Sequence, residues 1–265
     1  MHYILTLSYR GGGLGGWQVQ NNAVTVQGEL ERALGILFGT AVHTTGAGRT
    51  DAGVNAVNYV CDFETPEPLH LTKQDFIYKI NAITRKEIAV HDIREATAEQ
   101  VGEDGGQAFN SRFSAKSREY RYFIHRAKDP FAEAFSWRCP WPLDMERMNT
   151  AAAMLLGEHD FSCFEKTGGG NATSVCTVRK AVWSRYTPEH VRLLGFPDDG
   201  NYLMFTIEAN RFLRNMVRAV VGTLVDVGRG RRAPESVEEL LRSGKRGDAG
   251  ESVPGNALFL SRITY

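Results

Sequence analysis

Segments with the hydrophobic pattern of strands and of helices follow one another in a definite order through the first half of the chain. Alternating apolar and polar residues indicate a half-buried strand, whereas apolar residues three and four apart indicate a helix. Strands are predicted at residues 2–9, 41–47, 58–64 and 88–95. Helices are predicted at 26–38, where Gly39 ends the pattern, and at 72–81, where Thr72 and Asp75 fit a capping box. The order is therefore β-α-β-β-α-β.

The second half of the chain shows the same order of elements with one extra helix. Strands are predicted at residues 117–125, 178–186, 202–209 and 258–263. Helices are predicted between an Asp144 cap and Gly157, at 212–227, and at 236–242, where Ser236 and Glu239 fit a second capping box. The element order β-α-β-β-α-β is that of the ferredoxin-like split βαβ motif.

A polar, glycine-rich connector at residues 101–107 separates the two halves. The sequence therefore predicts an α+β fold of two tandem ferredoxin-like, RNA-recognition-type βαββαβ domains. Their predicted extents are residues 1–106 and 107–265. The halves share this order of elements but no visible sequence repeat.

Composition places the chain among ordinary soluble proteins. Its 265 residues carry 31 Lys and Arg and 31 Asp and Glu, so the formal net charge is zero. No segment approaches the roughly 18 apolar residues of a membrane-spanning helix, and the N-terminus has the pattern of a strand rather than of a signal peptide. We therefore expect a cytoplasmic protein. A neutral average does not suggest a polyanionic partner, so any nucleic-acid site must be a local basic cluster.

Cysteine and histidine spacing indicates neither a metal site nor a redox motif. The four cysteines are widely separated and form no C-x-x-C pair, and the seven histidines show no H-E-x-x-H spacing. We expect the cysteines to be buried free thiols. No metal is predicted.

Residues 45–54, Thr-Gly-Ala-Gly-Arg-Thr-Asp-Ala-Gly-Val, are the best candidate for a site of chemistry. Glycine permits close approach of a ligand to the backbone, and the cation of Arg49 favours the ionised form of a nearby carboxylate, here Asp51. An ionised, positioned carboxylate can act as nucleophile or general base. On the pattern alone, an aspartate that simply caps a glycine-rich turn is the more common case.

The segment from Gly46 to Val54 resembles the signature of the tRNA pseudouridine synthase A family. The resemblance implies that Asp51 is the catalytic residue and that Arg49 contacts RNA and stabilises a flipped nucleotide. It extends over nearly the whole chain, because residues 112–115, Arg-Phe-Ser-Ala, also match a family segment.

Two further segments carry candidate site residues. In Arg118-Glu-Tyr-Arg-Tyr122, aromatic rings could stack on extruded bases, or the tyrosines could simply be buried while the arginines meet water. The resemblance implies that Tyr120 stacks on the target base. In residues 210–218, Arg211, Arg214 and Arg218 would share one helix face. Taken alone, such a face is more often the solvated cationic side of an amphipathic helix than a binding site.

The resemblance assigns Arg218 to an active-site arginine that pairs with Asp51, orients it and lowers its pKa. A local basic surface could also form from other cations in the chain. The candidates are Lys116, Arg118, Arg121, Arg229, Arg231 and Arg232.

Two positions depart from the family pattern. Asn55 and Asn110 stand where the family usually has histidine. Asparagine keeps the capacity to form hydrogen bonds but cannot carry charge. The departures therefore concern individual RNA contacts and their pH dependence rather than the class of reaction.

The resemblance implies a tRNA pseudouridine synthase that isomerises uridine in the anticodon stem-loop, at tRNA positions 38, 39 and 40. It also implies a homodimer, an active-site cleft between two domains whose sheets adjoin, and a reaction that needs no cofactor. Two other functions stay open on the sequence. One is a non-catalytic RNA-binding protein of paired domains, and the other is a hydrolase of nucleosides or sugars, which would need a second carboxylate near Asp51.

Overall fold

The computed structural model describes residues 1–101, 108–168, 172–198 and 200–265. The chain forms two compact units, of which the first is Met1–Lys116 with Leu260–Tyr265 and the second is Ser117–Phe259. The predicted domain boundary after residue 106 falls in the 101–107 connector, most of which lies outside the described residues. It stays a prediction.

The first unit has the predicted order of elements. It contains β1 (His2–Tyr9), α1 (Val26–Phe38), β2 (Thr44–Gly46), β3 (Asn55–Glu64), α2 (Lys73–Ile83), β4 (Ile88–Glu95) and a short α3 (Ala98–Val101). Strand β1 pairs antiparallel with both β3 and β4, and β2 pairs antiparallel with β3. The β-α-β-β-α-β prediction is confirmed for this half.

Caps of the predicted kind bound both long helices of the first unit. The Thr25 side chain accepts a hydrogen bond from the Gly28 amide, and Gly39 ends α1 with a φ of 68°. The Thr72 side chain accepts from the Asp75 amide at the start of α2. Each threonine satisfies a backbone amide that the helix start leaves without a partner.

Two strand predictions in the first half have the wrong length. The predicted strand 41–47 is paired only over Thr44–Gly46. The predicted strand 58–64 begins earlier, at Asn55, because Ala56 pairs with Tyr9 beyond an irregularity in the ladder. Asn58 has a φ of 54° within this strand. Such a conformation breaks the alternation on which the sequence prediction depends.

The second unit contains more elements than predicted. These are β5 (Ser117–His125), β6 (Trp137–Arg138), α4 (Met145–Ala153), β7 (Gly157–Asp160), β8 (Val175–Arg185), α5 (Glu189–Leu194), β9 (Tyr202–Ala209), α6 (Met216–Gly228) and α7 (Ser236–Ser243); β10 (Leu258–Thr264) then ends in the first unit. The antiparallel strands lie in the order β5-β9-β8-β7, and β6 pairs parallel to β5. The sequence missed β6, β7 and α5, which are all short.

Two helix ends in the second half were predicted wrongly. The helix expected at 212–227 starts only at Met216, because Asn215 precedes it with a left-handed φ of 64°. The helix that follows the Asp144 cap ends at Ala153, and Gly157 instead starts β7 with a φ of 99°.

The second capping box was also predicted wrongly. Glu235 occupies the position before α7 and makes no side-chain cap, and the Ser236 hydroxyl donates to the carbonyl of Ala233. The helix forms over nearly the predicted residues without this cap.

Helix α6 lies in the core of the second unit. Eleven of its 13 residues are buried, as expected for a helix that is apolar on all sides. Gly222 and Gly228 allow close packing, since a Cβ at Gly222 would lie 1.9 Å from the carbonyl oxygen of Glu251. Among the described residues, no helix has both the length and the apolar character required to cross a membrane.

Candidate functional site

The Asp51 loop is fixed by the backbone on either side of the aspartate. The Asp51 carbonyl accepts from the Val54 amide at 3.1 Å, and the Thr50 carbonyl accepts from the Trp17 amide at 3.2 Å. The buried Thr50 hydroxyl lies 2.8 Å from the hydroxyl of Tyr9. Asp51 itself is half-buried. The backbone around Asp51 is therefore a turn, as the turn interpretation predicted. Its hydrogen bonds hold the backbone that carries the carboxylate.

An aromatic cluster underlies this loop. The ring centroids of Trp17 and Tyr59 are 4.3 Å apart, and those of Tyr9 and Tyr59 are 5.5 Å apart. The Tyr59 hydroxyl donates to the Gly48 carbonyl at 2.5 Å. A Cβ at Gly46 would lie within 2.4 Å of Trp17, so only glycine fits there. None of these three aromatic residues was predicted to belong to the site.

The glycine-rich segment after β1 packs against the Asp51 loop. A Cβ at Gly16, whose φ is 93°, would lie 2.2 Å from the Thr50 carbonyl oxygen, and one at Gly11 would lie 2.3 Å from that of Val54. The buried Asn55 accepts from the Gly11 amide at 2.9 Å through Oδ1. Asn55, which departs from the family pattern, therefore ties the two segments together.

Arg49 is exposed and has a partner in the same unit. Its Nε donates to Oε1 of Gln18 at 2.7 Å. Gln18 follows the buried Trp17 in the sequence, so this contact links the Arg49 guanidinium to the segment that carries part of the aromatic cluster. Arg49 and Asp51 lie two positions apart on this loop, and the contact of Arg49 with RNA stays a prediction.

Tyr120 lies on β5 in the second unit, where it is 8% exposed. Its ring meets that of Phe212 edge to face, with centroids 5.0 Å apart and an interplanar angle of 86°. Edge-to-face packing fixes the ring plane. The tyrosine is buried, as the alternative of simply buried tyrosines required, and its stacking on a base stays a prediction.

Arg218 is positioned by backbone of the segment that follows α7. Its Nε donates to the Val253 carbonyl at 2.6 Å, and the Arg218 carbonyl accepts from the Val253 amide at 3.3 Å. The Tyr122 hydroxyl donates to the neighbouring Pro254 carbonyl at 3.0 Å. Burial raises the pKa of Tyr122, and the nearby charge of Arg218 opposes that rise.

The predicted stripe of three arginines does not exist as one helix face. Arg211 and Arg214 precede α6, and only Arg218 lies on it. The left-handed turn at Asn215 separates them, and the side-chain Nδ2 of Asn215 donates to the Ser252 hydroxyl at 2.5 Å.

Several cations of the predicted basic surface have partners. Arg121 contacts Glu119, and both Arg231 and Arg232 approach Asp226. Arg118 donates to the Asn210 carbonyl at 2.9 Å. Arg229 lies over the ring of Trp141, 3.6 Å from its centroid. Within the second unit, the acidic partners reduce the positive charge that these residues present to a polyanion.

The cysteines are buried and free, as predicted. Burial raises the pKa of the Cys139 and Cys176 thiols to about 11 and of Cys163 to about 12, and it also raises that of Cys61. They are therefore protonated at neutral pH and poor nucleophiles. No group of three or more His, Cys, Asp or Glu residues in the described part of the chain could hold a metal ion.

The predicted site residues fall into two pairs. Asp51 and Arg49 belong to the first unit, and Tyr120 and Arg218 belong to the second. The pairing of Arg218 with Asp51 stays a prediction.

Comparison with known proteins identifies the family. A family model described as tRNA pseudouridine synthase matches residues 151–265. A tRNA pseudouridine synthase A from Parabacteroides distasonis is 39% identical over 266 residues, covering 99% of this chain and 95% of the relative. Relatives of the same name from Bacteroides fragilis and Bacillus licheniformis are each 36% identical, covering 99% and 98% of this chain and 96% and 97% of their own lengths.

Similarity to solved structures is weaker. The archaeal box H/ACA sRNP Nop10–Cbf5 complex matches with a TM-score of 0.38 and 10% identity, over 85% of this chain and 44% of that chain, which is too distant to support an argument. The full-length relatives are decisive, and on their evidence the chain belongs to the tRNA pseudouridine synthase A family.

Proposed function

We propose that this protein is a tRNA pseudouridine synthase, an isomerase that converts uridine to pseudouridine within tRNA. The observation that carries the proposal is the Asp51 loop, whose backbone is held by hydrogen bonds and by an aromatic cluster and which also carries Arg49. Family membership supports it, because the relatives at 36–39% identity bear the name of that activity. A hydrolase with two carboxylates has no comparable support.

The reaction conserves all atoms of the substrate. The N1–C1′ bond breaks, the uracil turns, and a new bond forms between C5 and C1′. The hydrogen on C5 leaves as a proton, and N1 ends with a proton. Because no group is gained and no electron is transferred, the residues need only supply a nucleophile or base, hold the ring and move protons.

We assign four residues to these tasks. Asp51 is the nucleophile or base, and Tyr120 holds the flipped uracil by stacking. Arg49 contacts RNA and stabilises the flipped nucleotide, and Arg218 pairs with Asp51. Arg218 occupies the first turn of α6, where the helix dipole disfavours a cation. An anionic partner would offset that cost.

We also propose the finer features that the family resemblance implies. The substrate uridines lie in the anticodon stem-loop, at tRNA positions 38, 39 and 40. Extruding a base costs a few kcal/mol, which tRNA contacts must offset. The halves are tandem ferredoxin-like domains, and the protein works as a cytoplasmic homodimer.

Tritium release from tRNA labelled with [5-³H]uridine tests the function directly, since the isomerisation expels the C5 hydrogen. We expect release from unmodified tRNA by the wild-type protein without added metal or cofactor. A folded wild-type protein that binds tRNA and releases no tritium from a broad set of unmodified tRNAs would leave the RNA-binding alternative as the better account.

Replacing Arg218 tests the proposed ion pair. We expect Arg218→Met to lower kcat about 100-fold, the scale of losing one preorganised electrostatic partner. If the two residues act as a pair, the double variant Asp51→Asn, Arg218→Met should have nearly the kcat of Asp51→Asn alone. The control is Arg242→Met, which removes an exposed arginine paired with Glu238 on α7. A further loss of about 100-fold in the double variant would argue against the pair.

A further inference from the structure

A tight turn at residues 110–114 is fixed by its own side chains. The Asn110 side-chain oxygen accepts from the amides of Arg112 at 3.0 Å and Phe113 at 3.1 Å. The Ser114 hydroxyl accepts from the Asn110 amide at 3.0 Å, and the Ser114 amide donates to the Asn110 carbonyl at 2.9 Å. Asparagine is well suited to this double acceptance, which explains one departure from the family pattern.

The turn is also anchored to the interior of the first unit. The fully buried Ser111 donates its amide to Oδ1 of Asp62 at 2.7 Å, and its carbonyl accepts from the Tyr265 hydroxyl at 3.0 Å. The other oxygen of Asp62 lies 3.0 Å from Nε2 of His2. Residue 111 is thus held from both sides, so the residues that follow it have little freedom.

This rigid turn holds an aromatic ring in solvent. Phe113 is 71% exposed, and the guanidinium of Arg112 lies 5.3 Å from the centroid of its ring. Exposing a phenylalanine forgoes the stabilisation that its burial would contribute. Four local hydrogen bonds maintain this unfavourable exposure, which points to a ligand for the ring.

The surroundings of Phe113 favour a nucleobase over an apolar protein surface. Residues 108–116 contain Arg112 and Lys116, both exposed, and no acidic residue. Phe113 is the one large hydrophobic residue exposed in this segment. A single aromatic ring between two cations suits a ligand that combines flat rings with phosphates, whereas a docked protein would favour a contiguous apolar patch.

We propose that Phe113 stacks on an unpaired nucleobase of the tRNA, distinct from the uridine that Asp51 isomerises, with Arg112 and Lys116 contacting the adjacent phosphates. This inference rests on the proposed function for its ligand. It assigns to the Arg-Phe-Ser-Ala segment a role in binding. Stacking on any base is possible because every base has a π face, so the contact would help to hold many tRNAs.

Substitutions at Phe113 separate stacking from simple apolar contact. We expect Phe113→Ala and Phe113→Leu each to weaken binding of unmodified tRNA about tenfold, the loss of one base–aromatic stack, and Phe113→Trp to bind within about twofold of wild type. The loss should appear in KM rather than in kcat. Tyr78→Ala is the matched control, because Tyr78 is 77% exposed on α2 in the same unit.

Salt dependence distinguishes the ring from the cations. The slope of log K against log salt should stay unchanged in Phe113→Ala and fall in magnitude by about one phosphate contact in Arg112→Gln. Wild-type affinity in all three Phe113 variants would overturn the proposal. Full retention of affinity in Phe113→Leu would also overturn it. A shift of Phe113→Ala to a smaller oligomer with unchanged affinity per subunit would overturn it as well, because it would indicate that Phe113 contacts a second copy of the chain.

These outcomes are separate from failure of the proposed function. Absence of tritium release by wild type would refute the isomerase activity and leave the binding measurements interpretable. Since Phe113 is exposed, its variants should have the melting temperature of the wild type, which shows that affinity is being tested rather than folding.

Discussion

Asp51→Asn should abolish tritium release while leaving tRNA binding intact. Asparagine matches aspartate in shape and keeps its hydrogen-bonding capacity, but it cannot act as a nucleophile or base of comparable strength. We expect kcat to fall by about 10⁴-fold, the scale seen when a central catalytic group is removed. The loop should keep its conformation, because backbone hydrogen bonds and the Thr50 hydroxyl anchor it.

Measurement of Asp51→Asn needs three readouts on the same preparation. These are tritium release under single-turnover conditions, equilibrium binding of unmodified tRNA, and the melting temperature. Asp92→Asn is the matched control, since it removes a half-buried carboxylate of the same unit that pairs with Lys73. Substantial turnover by Asp51→Asn would remove the residue from the chemistry, and loss of binding together with turnover would contradict the separation of roles.

Local sequence was sufficient to locate the longer strands and helices and to supply the catalytic candidate. The strand at His2–Tyr9 and the helix at Val26–Phe38 follow from short-range periodicity and caps, and both have the predicted bounds. Asp51 and Arg49 were identified because the motif that carries them is contiguous. A contiguous motif retains its meaning without knowledge of the fold.

What the sequence missed depends on contacts between distant residues or on single backbone angles. Asn55 reaches Gly11 across 44 positions, and Val253 reaches Arg218 across 35. The left-handed conformation of Asn215 delays the start of α6, and no periodicity could show it. Asparagine tolerates that conformation better than most residues, but its presence does not require it.

The supports of the candidate residues are largely backbone groups and aromatic rings. Val253 and Thr50 contribute carbonyl oxygens, and Tyr59 contributes a hydroxyl to the Gly48 carbonyl. A contact made by the backbone does not constrain the residue type, except where two segments of the chain approach so closely that only glycine fits. The glycines at 16, 46 and 222 are therefore the sequence positions that record this packing.

Gly222→Ala should be the most destabilising single-methyl change in the second unit. The added Cβ would lie 1.9 Å from the carbonyl oxygen of Glu251, which is backbone and cannot rotate away. Overpacking of a buried site costs about 1–3 kcal/mol and occasionally more, and we expect the upper end. In a chain of this size that corresponds to a fall in melting temperature of roughly 8 °C.

Gly222→Ala should also lower activity where the protein is still folded. Moving Glu251 shifts a segment in which the Gly250 amide donates to Oγ1 of Thr223 at 2.8 Å and the Val253 carbonyl holds Arg218 at 2.6 Å. The control is Gly35→Ala on α1, where the nearest atom to the new Cβ is 3.5 Å away. There a helix-interior glycine is replaced without strain, so we expect a gain of about 0.5–1 kcal/mol. Equal melting temperatures for the two variants would contradict the packing of α6 on residues 250–253, whereas a large loss confined to Gly222→Ala, with reduced kcat at 20 °C, would show that this packing positions Arg218.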